Sequence, residues 1–270
     1  MFIDRSNRQT FNMKFLNFVF LILVLIPIHS YSQKQDLLRI ENELFITYNK
    51  LFSAYENNQY DSVEIFNDLL KLKMIDGLSK NPATLKYSFK KLTDDNAFDI
   101  VTSEDSLFRI YSWDTWTGGT MHFYNNTFQY TCKGKVITEL NELAEGDCGS
   151  FFSEVFTLKA GSKTYYLAVS NGRFSTKDHS QSIEVLTIGN GKLNWNVKLI
   201  KTLEGMTNRI DLEYDFFSVV DRPERPLKLI KYDKSKKIIY IPVVYDDGTV
   251  TKKFIQYKFN GKYFEKLKTQ

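Results

Sequence analysis

From Asp99 onward the chain is cut into short apolar and aromatic runs by turn signals. These are Lys133-Gly134-Lys135, Gly161-Ser162, Asn190-Gly191, Asp247-Gly248 and Asn260-Gly261. Asn-Gly and Asp-Gly between apolar runs mark β-hairpins, because type I′ turns need positive φ at both central residues. Tyr, Phe, Val and Ile dominate the runs, and Ile255, Tyr257 and Phe259 alternate with Gln256 and Lys258. About a dozen strands are expected after residue 97. Lys163–Ser170 and Lys236–Val244 read as the most deeply buried. A loose unit of strand, turn and aromatic strand recurs unevenly at 154–170, 182–197 and 236–264. A large antiparallel β domain over 97–270 follows, either a propeller-like stack or a sandwich or barrel.

Residues 33–96 read differently. Leu37, Ile40, Leu44, Tyr48, Leu51 and Tyr55 recur at steps of three and four, one face of a helix. Asn57-Asn58-Gln59 breaks it. Asp61 and Glu64 have the spacing of a capping box ahead of Val63, Phe66 and Leu70. Asn81-Pro82 has the form of an N-cap followed by proline at the first helical position, with Leu85, Phe89 and Leu92 as the stripe of a third short helix. The expected class is therefore α+β, mainly β, with a short helical segment ahead of the β domain.

The first 32 residues have the pattern of a signal peptide. Lys14 precedes the uncharged apolar run FLNFVFLILVLIPI, and Ser30 and Ser32 place small residues at the positions a signal peptidase reads. Fourteen residues fall short of the roughly 20 that span a bilayer. Cleavage is expected after Ser32, with Met13 as a second candidate start. No cysteine lies near that point for a lipid anchor, and no later segment has the length and apolarity of a transmembrane helix. Loss of residues 1–32 removes three basic residues and one acid, which lowers the formal charge from +4 to +2. That balance argues against nucleic acid as a partner.

Cys132 and Cys148 are the only cysteines. In an exported chain an even count points to a disulfide. Closing a loop of about 15 residues would contribute roughly 3 kcal/mol. Two cysteines without CxxC spacing do not make a zinc site, and no metal or cofactor is expected.

Three stretches carry candidate chemistry. The first is YSWDTWTGGTMHFY, from Tyr111 to Tyr124. One reading is a long hairpin whose tryptophans cap the core. The other is an aromatic platform of Trp113 and Trp116, with Asp114 and His122 as hydrogen-bonding groups and Gly118-Gly119 allowing close approach of a ligand. The second stretch is FFSVVDRPERP, from Phe216 to Pro226. Its prolines stiffen a loop in which Arg222 and Arg225 either pair with Asp221 and Glu224 or present planar forks to a carboxylate or phosphate. The third is SNGRFSTKDH, from Ser170 to His179, a polar loop that sets Asp178 beside His179. GxSxG, HExxH, P-loop and GxGxxG signatures are absent. Ser88 and Lys91 match SxxK without its companion motifs.

RIYSWDTWTGGTMHFY, YYLAVSNGRFSTKDHSQSIEVLTIGNGKL, DFFSVVDRPERP and IIYIPVVYDDGTVTKKFIQYKFNGKYF together resemble an uncharacterised family of exported β-rich proteins of Bacteroidetes-type bacteria. The likeness covers roughly residues 99–265. It implies export and a compact β domain, and it carries no activity and no functional residues. The expected function is a non-enzymatic binding or envelope-associated module, in the periplasm or outside the cell, whose partner is a glycan, a peptide or another protein. The alternatives are a hydrolase of envelope glycan or peptide using Asp114, His122 or Asp178 with His179, and a secreted inhibitor or immunity-type protein acting through the 221–226 loop. Polar groups from separated stretches meeting in one cleft would distinguish these readings.

Overall fold

The computed structural model describes residues 32–267. The expected leader lies, apart from Ser32, outside the described residues. No described helix is long and apolar enough to cross a membrane.

The helical segment consists of α1 (residues 32–56), α2 (Tyr60–Lys80), a 3-10 turn (Pro82–Leu85) and α3 (Lys90–Asp94). The apolar stripe of α1 is buried at Ile40, Leu44, Tyr48 and Leu51. Asn58 takes a positive φ where the break was expected. Three details differ from the sequence reading. Gln59 flanks α2 without a side-chain cap, leaving Asp61 in the first turn, where its charge favours the helix dipole. Asn81 does cap, accepting from the Ala83 N–H at 3.2 Å, but the turn it opens is a single 3-10 turn. Phe89, at φ 47°, breaks the expected third helix in two.

Fifteen strands follow among the described residues: β1 (Asp99–Thr102), β2 (Phe108–Asp114), β3 (Tyr124–Cys132), β4 (Lys135–Leu140), β5 (Phe151–Ala160), β6 (Lys163–Arg173), β7 (Asp178–Gly189), β8 (Lys192–Asn194), β9 (Ile200–Lys201), β10 (Met206–Thr207), β11 (Arg209–Asp215), β12 (Lys231–Asp233), β13 (Ile238–Val244), β14 (Val250–Phe259) and β15 (Phe264–Lys266). They form three sheets, ordered β1-β2-β3-β4, β11-β7-β6-β5 and β10-β9-β15-β14-β13-β12, with β8 paired to the end of β7. All pairings are antiparallel except β15 with β9. Each turn signal joins consecutive strands. Lys133-Gly134 and Asn190-Gly191 have positive φ at both positions, as a type I′ turn requires.

The sheets stack. Phe108 and Ile110 of β2 face the second sheet, where they meet Phe152, Tyr166 and Leu186. The alternate residues Tyr111 and Trp113 face the helices and complete their core with Leu44, Leu70 and Phe98. In β6, Tyr166 and Ala168 face the first sheet, whereas Leu167 and Val169 face the third, against Ile239, Tyr257 and Phe264. Period-2 alternation thus feeds two dry seams from one strand. The chain is mainly β with N-terminal helices packed on the first sheet.

Polar side chains in these seams are tied down. Gln129 is fully buried. Its Nε2 donates to the Leu78 carbonyl at 3.1 Å and to Thr84 Oγ1 at 2.8 Å, and its Oε1 accepts from the Tyr111 hydroxyl at 2.9 Å. Arg109 donates to the carbonyls of Thr84 and Tyr87. The sheet therefore satisfies the backbone of the irregular segment between α2 and α3.

The expected disulfide is not present: Cys132 and Cys148 are both free. Cys148 lies at one end of β3, where its carbonyl accepts from the Tyr124 N–H at 2.8 Å, and Cys132 lies at the other end. Eight residues of strand separate those ends by about 26 Å, far outside the roughly 7 Å Cα limit for a bridge.

Two outcomes are expected. Thiol titration of unreduced, denatured protein should count two free thiols, and a count of zero would contradict the strand geometry. Gln129→Leu should lower stability by about 2–3 kcal/mol in urea unfolding, because it removes the donor to the buried Leu78 carbonyl and Thr84 hydroxyl.

Candidate functional site

β6, β7 and β11 bring one row of side chains into register. Arg173 lies opposite His179, and His179 lies opposite Tyr214. Directly opposed residues share a face, here the face that packs on the third sheet. The next row inward is Asn171 and Gln181, followed by Val169 and Ile183 in the core. The row of Arg173, His179 and Tyr214 is thus where a dry core opens outward.

Residues 216–230 close over that opening. Asp215 caps the 3-10 turn Phe216–Val219 through the Phe217 N–H at 2.9 Å. The Phe216 ring stacks on the His179 imidazole, with centroids 4.7 Å apart and planes 23° from parallel. The Arg225 guanidinium lies over the Phe216 ring, 5.6 Å from its centroid. Farther along, fully buried Gln181 donates to the Leu227 carbonyl at 2.7 Å and to Asn171 Oδ1 at 2.8 Å, and accepts from the Ile230 N–H at 2.6 Å.

Between the row and the loop is a cleft of about 330 Å³, with Tyr124 and Phe151 on its remaining side. Tyr124 comes from the first candidate stretch, Arg173 and His179 from the third, and Phe216 and Arg225 from the second. All three meet here. Arg225 does not pair with the loop acids. It donates to the carbonyls of Val220, Arg222 and Glu224 at 2.8, 2.6 and 2.7 Å. Arg222 is half-buried in the same loop, and together the two arginines place positive charge near Tyr214. Arg173 is different again. Among the described residues it makes no ion pair, and its Nε is buried without a partner, as is His179 Nε2. Burial, and secondly the Arg173 charge, push the His179 pKa below its ordinary value, so the imidazole is neutral at pH 7.

Two other hollows are bordered by an arginine that is already paired. Arg209 borders both a hollow of about 620 Å³ at turn 202–207 and one of about 300 Å³ beside Trp195, and it is paired with Asp211 and Glu184.

The residues of the first stretch divide. Trp113 is 1% exposed and belongs to the helix–sheet core, so it offers no platform. Trp116 is half-buried. Its Nε1 donates to the Tyr48 hydroxyl at 3.1 Å, and its ring lies 4.9 Å from those of Phe52 and Tyr55. Asp114 and His122 touch through Oδ2 and Nδ1, with side chains only 13% and 14% exposed. Asp114 Oδ1 also accepts from the Trp116 N–H at 2.9 Å. The His122 N–H donates to the Arg173 carbonyl at 3.0 Å, so this pair is tied to the cleft wall. Gly118 serves the chain's own close approach, since a Cβ there would lie 2.0 Å from the Met121 carbonyl oxygen.

Asp178 and His179 do not form a dyad. They are consecutive in β7 and point to opposite faces, and Asp178 accepts from Ser175 Oγ at 2.8 Å. Among the described residues no side-chain hydroxyl or thiol is hydrogen-bonded to His122, and no His, Cys, Asp and Glu side chains group as metal ligands would. Arg173, Tyr214 and Phe151 are site residues that composition alone does not single out. Placing the turn of the third stretch at 174–177 would have set Arg173 opposite His179. The approach of Tyr214 and Phe151 depends on the packing of whole strands.

No protein-family model matches the chain, and no curated protein matches it in sequence.

Asp99 lies near this region in β1, and its charge acts on Tyr48 and Tyr124. Burial raises its pKa from 3.8 to about 6. A carboxyl shifted upward favours the folded state below its unfolded pKa, and that contribution is lost as pH rises through the folded value. Asp99→Asn should therefore stabilise the protein at pH 7, by about 2 kcal/mol, and the gain should shrink between pH 6 and pH 4. Thermal melts of both proteins across that range check this. A gain independent of pH would show that the charge of Asp99 carries no penalty.

Proposed function

We propose that the protein is an exported, non-enzymatic binding module whose ligand seat is the cleft between the Arg173–His179–Tyr214 row and the 216–227 loop. One observation carries this reading. Three stretches distant in sequence converge on a single concavity with aromatic walls and polar groups inside, the ordinary form of a small-ligand site. Export rests on the leader-like residues 1–32 and on the family resemblance of residues 99–265. The partner class is a glycan or peptide fragment of a size that fits the cleft.

A hydrolase is the second reading, favoured by the Asp114–His122 contact. A carboxylate that orients an imidazole is half of a nucleophile-activating unit. The missing half is a nucleophile within reach of His122. The inhibitor reading needs a stiff protruding loop, whereas the 221–226 segment folds its arginine back onto its own carbonyls.

The chain from Gln33 onward contains two histidines, His122 and His179, so ring-proton NMR gives two reporters at the cleft and its wall. Titration with short glycans and peptides should produce saturable binding that shifts the His179 ring signals more than those of His122. Phe216→Ala, which removes the stacked ring, should weaken that binding about tenfold. Saturable binding that moves neither ring would place the ligand elsewhere. Turnover of the same fragments, abolished by His122→Ala, would replace the binding reading with the hydrolase.

A further inference from the structure

We propose that the cleft takes a monoanionic organic carboxylate carried on an aromatic or apolar group, with the Arg173 guanidinium as its counter-ion. This inference rests on the cleft being the ligand seat. It begins from the charges. The loop cations Arg222 and Arg225 are interleaved with Asp221 and Glu224, so residues 221–226 carry no net charge. Arg225 is further occupied by three backbone carbonyls. Asp114, the acid tied to the same wall, is occupied by His122 and by the Trp116 N–H. Arg173 remains, a guanidinium on the cleft wall with no ion pair among the described residues and with a buried, unpartnered Nε. A cation in that position costs stability unless a charge of opposite sign meets it. Because protein groups do not meet it, a ligand is the natural source.

The remaining features select among anions. A guanidinium edge matches the two oxygens of a carboxylate in plane. Arg225 lines the cleft as well but is engaged by three backbone carbonyls, so Arg173 is the guanidinium left to meet a single carboxylate. The walls contributed by Tyr124, Phe151, Phe216 and Leu227 are apolar or aromatic, and would cover a ring or an aliphatic chain. His179 Nε2 is a second polar atom without a partner at the same place.

Such a carboxylate occurs both at the C-terminus of a peptide ending in an aromatic residue and in a free aromatic acid. The test uses the chain from Gln33, with His179 ring NMR and calorimetry as readouts. The probes are N-acetyl-phenylalanine, its uncharged amide, 3-phenylpropionate and phenyl phosphate. N-acetyl-phenylalanine should bind and shift the His179 ring, and the amide should bind about tenfold more weakly, the value of one charge-assisted hydrogen bond. Comparable binding of 3-phenylpropionate identifies a free acid as sufficient, and its failure identifies a peptide C-terminus; both support the carboxylate seat. In Arg173→Gln the difference between acid and amide should vanish, while the unliganded variant melts no lower than the wild type. Equal binding of acid and amide to the wild type would overturn this inference and leave the cleft as the seat. Tighter binding of phenyl phosphate would overturn it in favour of a phosphoryl group. If no probe moves His179 while glycan or other peptide fragments do, the carboxylate class is wrong. If no fragment of any kind moves it, both the class and the seat are wrong.

Discussion

The carboxamide of Gln181 anchors a whole segment of chain. It sits at a position of β7 that faces the third sheet, one row outside Val169 and Ile183. An apolar residue there would pack, but it would not bind the loop above it. Gln181 instead satisfies the Leu227 carbonyl and the Ile230 N–H, two backbone groups of an irregular stretch that has no ladder of its own. Burying a loop requires partners for its backbone, and one side chain supplies two of them. With residues 227–230 held, residues 216–226 must arch over the outer end of the sheet. The stacking of Phe216 on His179 follows from that path.

Gln129 plays the same part on the other side of the stack. It faces the helices from β3 and holds the end of α2 through Leu78 and the turn after it through Thr84. The two glutamines mark a general demand of stacked sheets. A middle sheet is covered on both faces, so each polar group projecting from it must find a partner in the next layer or face a desolvation cost of about 1–3 kcal/mol. Gln129, Gln181 and Arg109 convert that demand into attachment of the irregular segments. Arg173 lies at the edge of the same demand, where β6 leaves the core, and there its Nε has no partner. Buried side-chain oxygens without a partner also occur at Asn126, Thr127, Thr138 and Thr157, but at the cleft the unpartnered atoms are nitrogens of a guanidinium and an imidazole.

The two histidines show how register decides chemistry. His179 is adjacent to an acid in sequence, yet the pleat sends Asp178 to the other face. His122 is eight residues from Asp114, yet the return of the chain through Gly118 brings the two into contact. In the first case sequence adjacency and proximity of functional groups disagree because successive strand residues alternate faces. In the second they agree only because a glycine permits a close backbone approach to Met121.

The sequence by itself determined the local features. Asn190-Gly191 and Lys133-Gly134 require positive φ and therefore turn where they stand. Phe108 and Ile110 alternate with Arg109 and Tyr111 because the strand pleat has period two. The stripe from Ile40 to Leu51 requires a helix, and the Asn81-Pro82 cap requires a helical turn to begin there. These signals reside within a few residues, so they are legible without knowledge of the rest. The tertiary structure decided whatever depends on which faces meet. It buried Trp113, set the cysteines at opposite ends of β3, and divided the third helix at Phe89. It also brought Tyr124, Arg173, His179, Phe216 and Arg225 around one cleft. Strand register and the stacking of sheets act over tens of residues, and no short stretch encodes them, because each layer is placed by the apolar face of its neighbour.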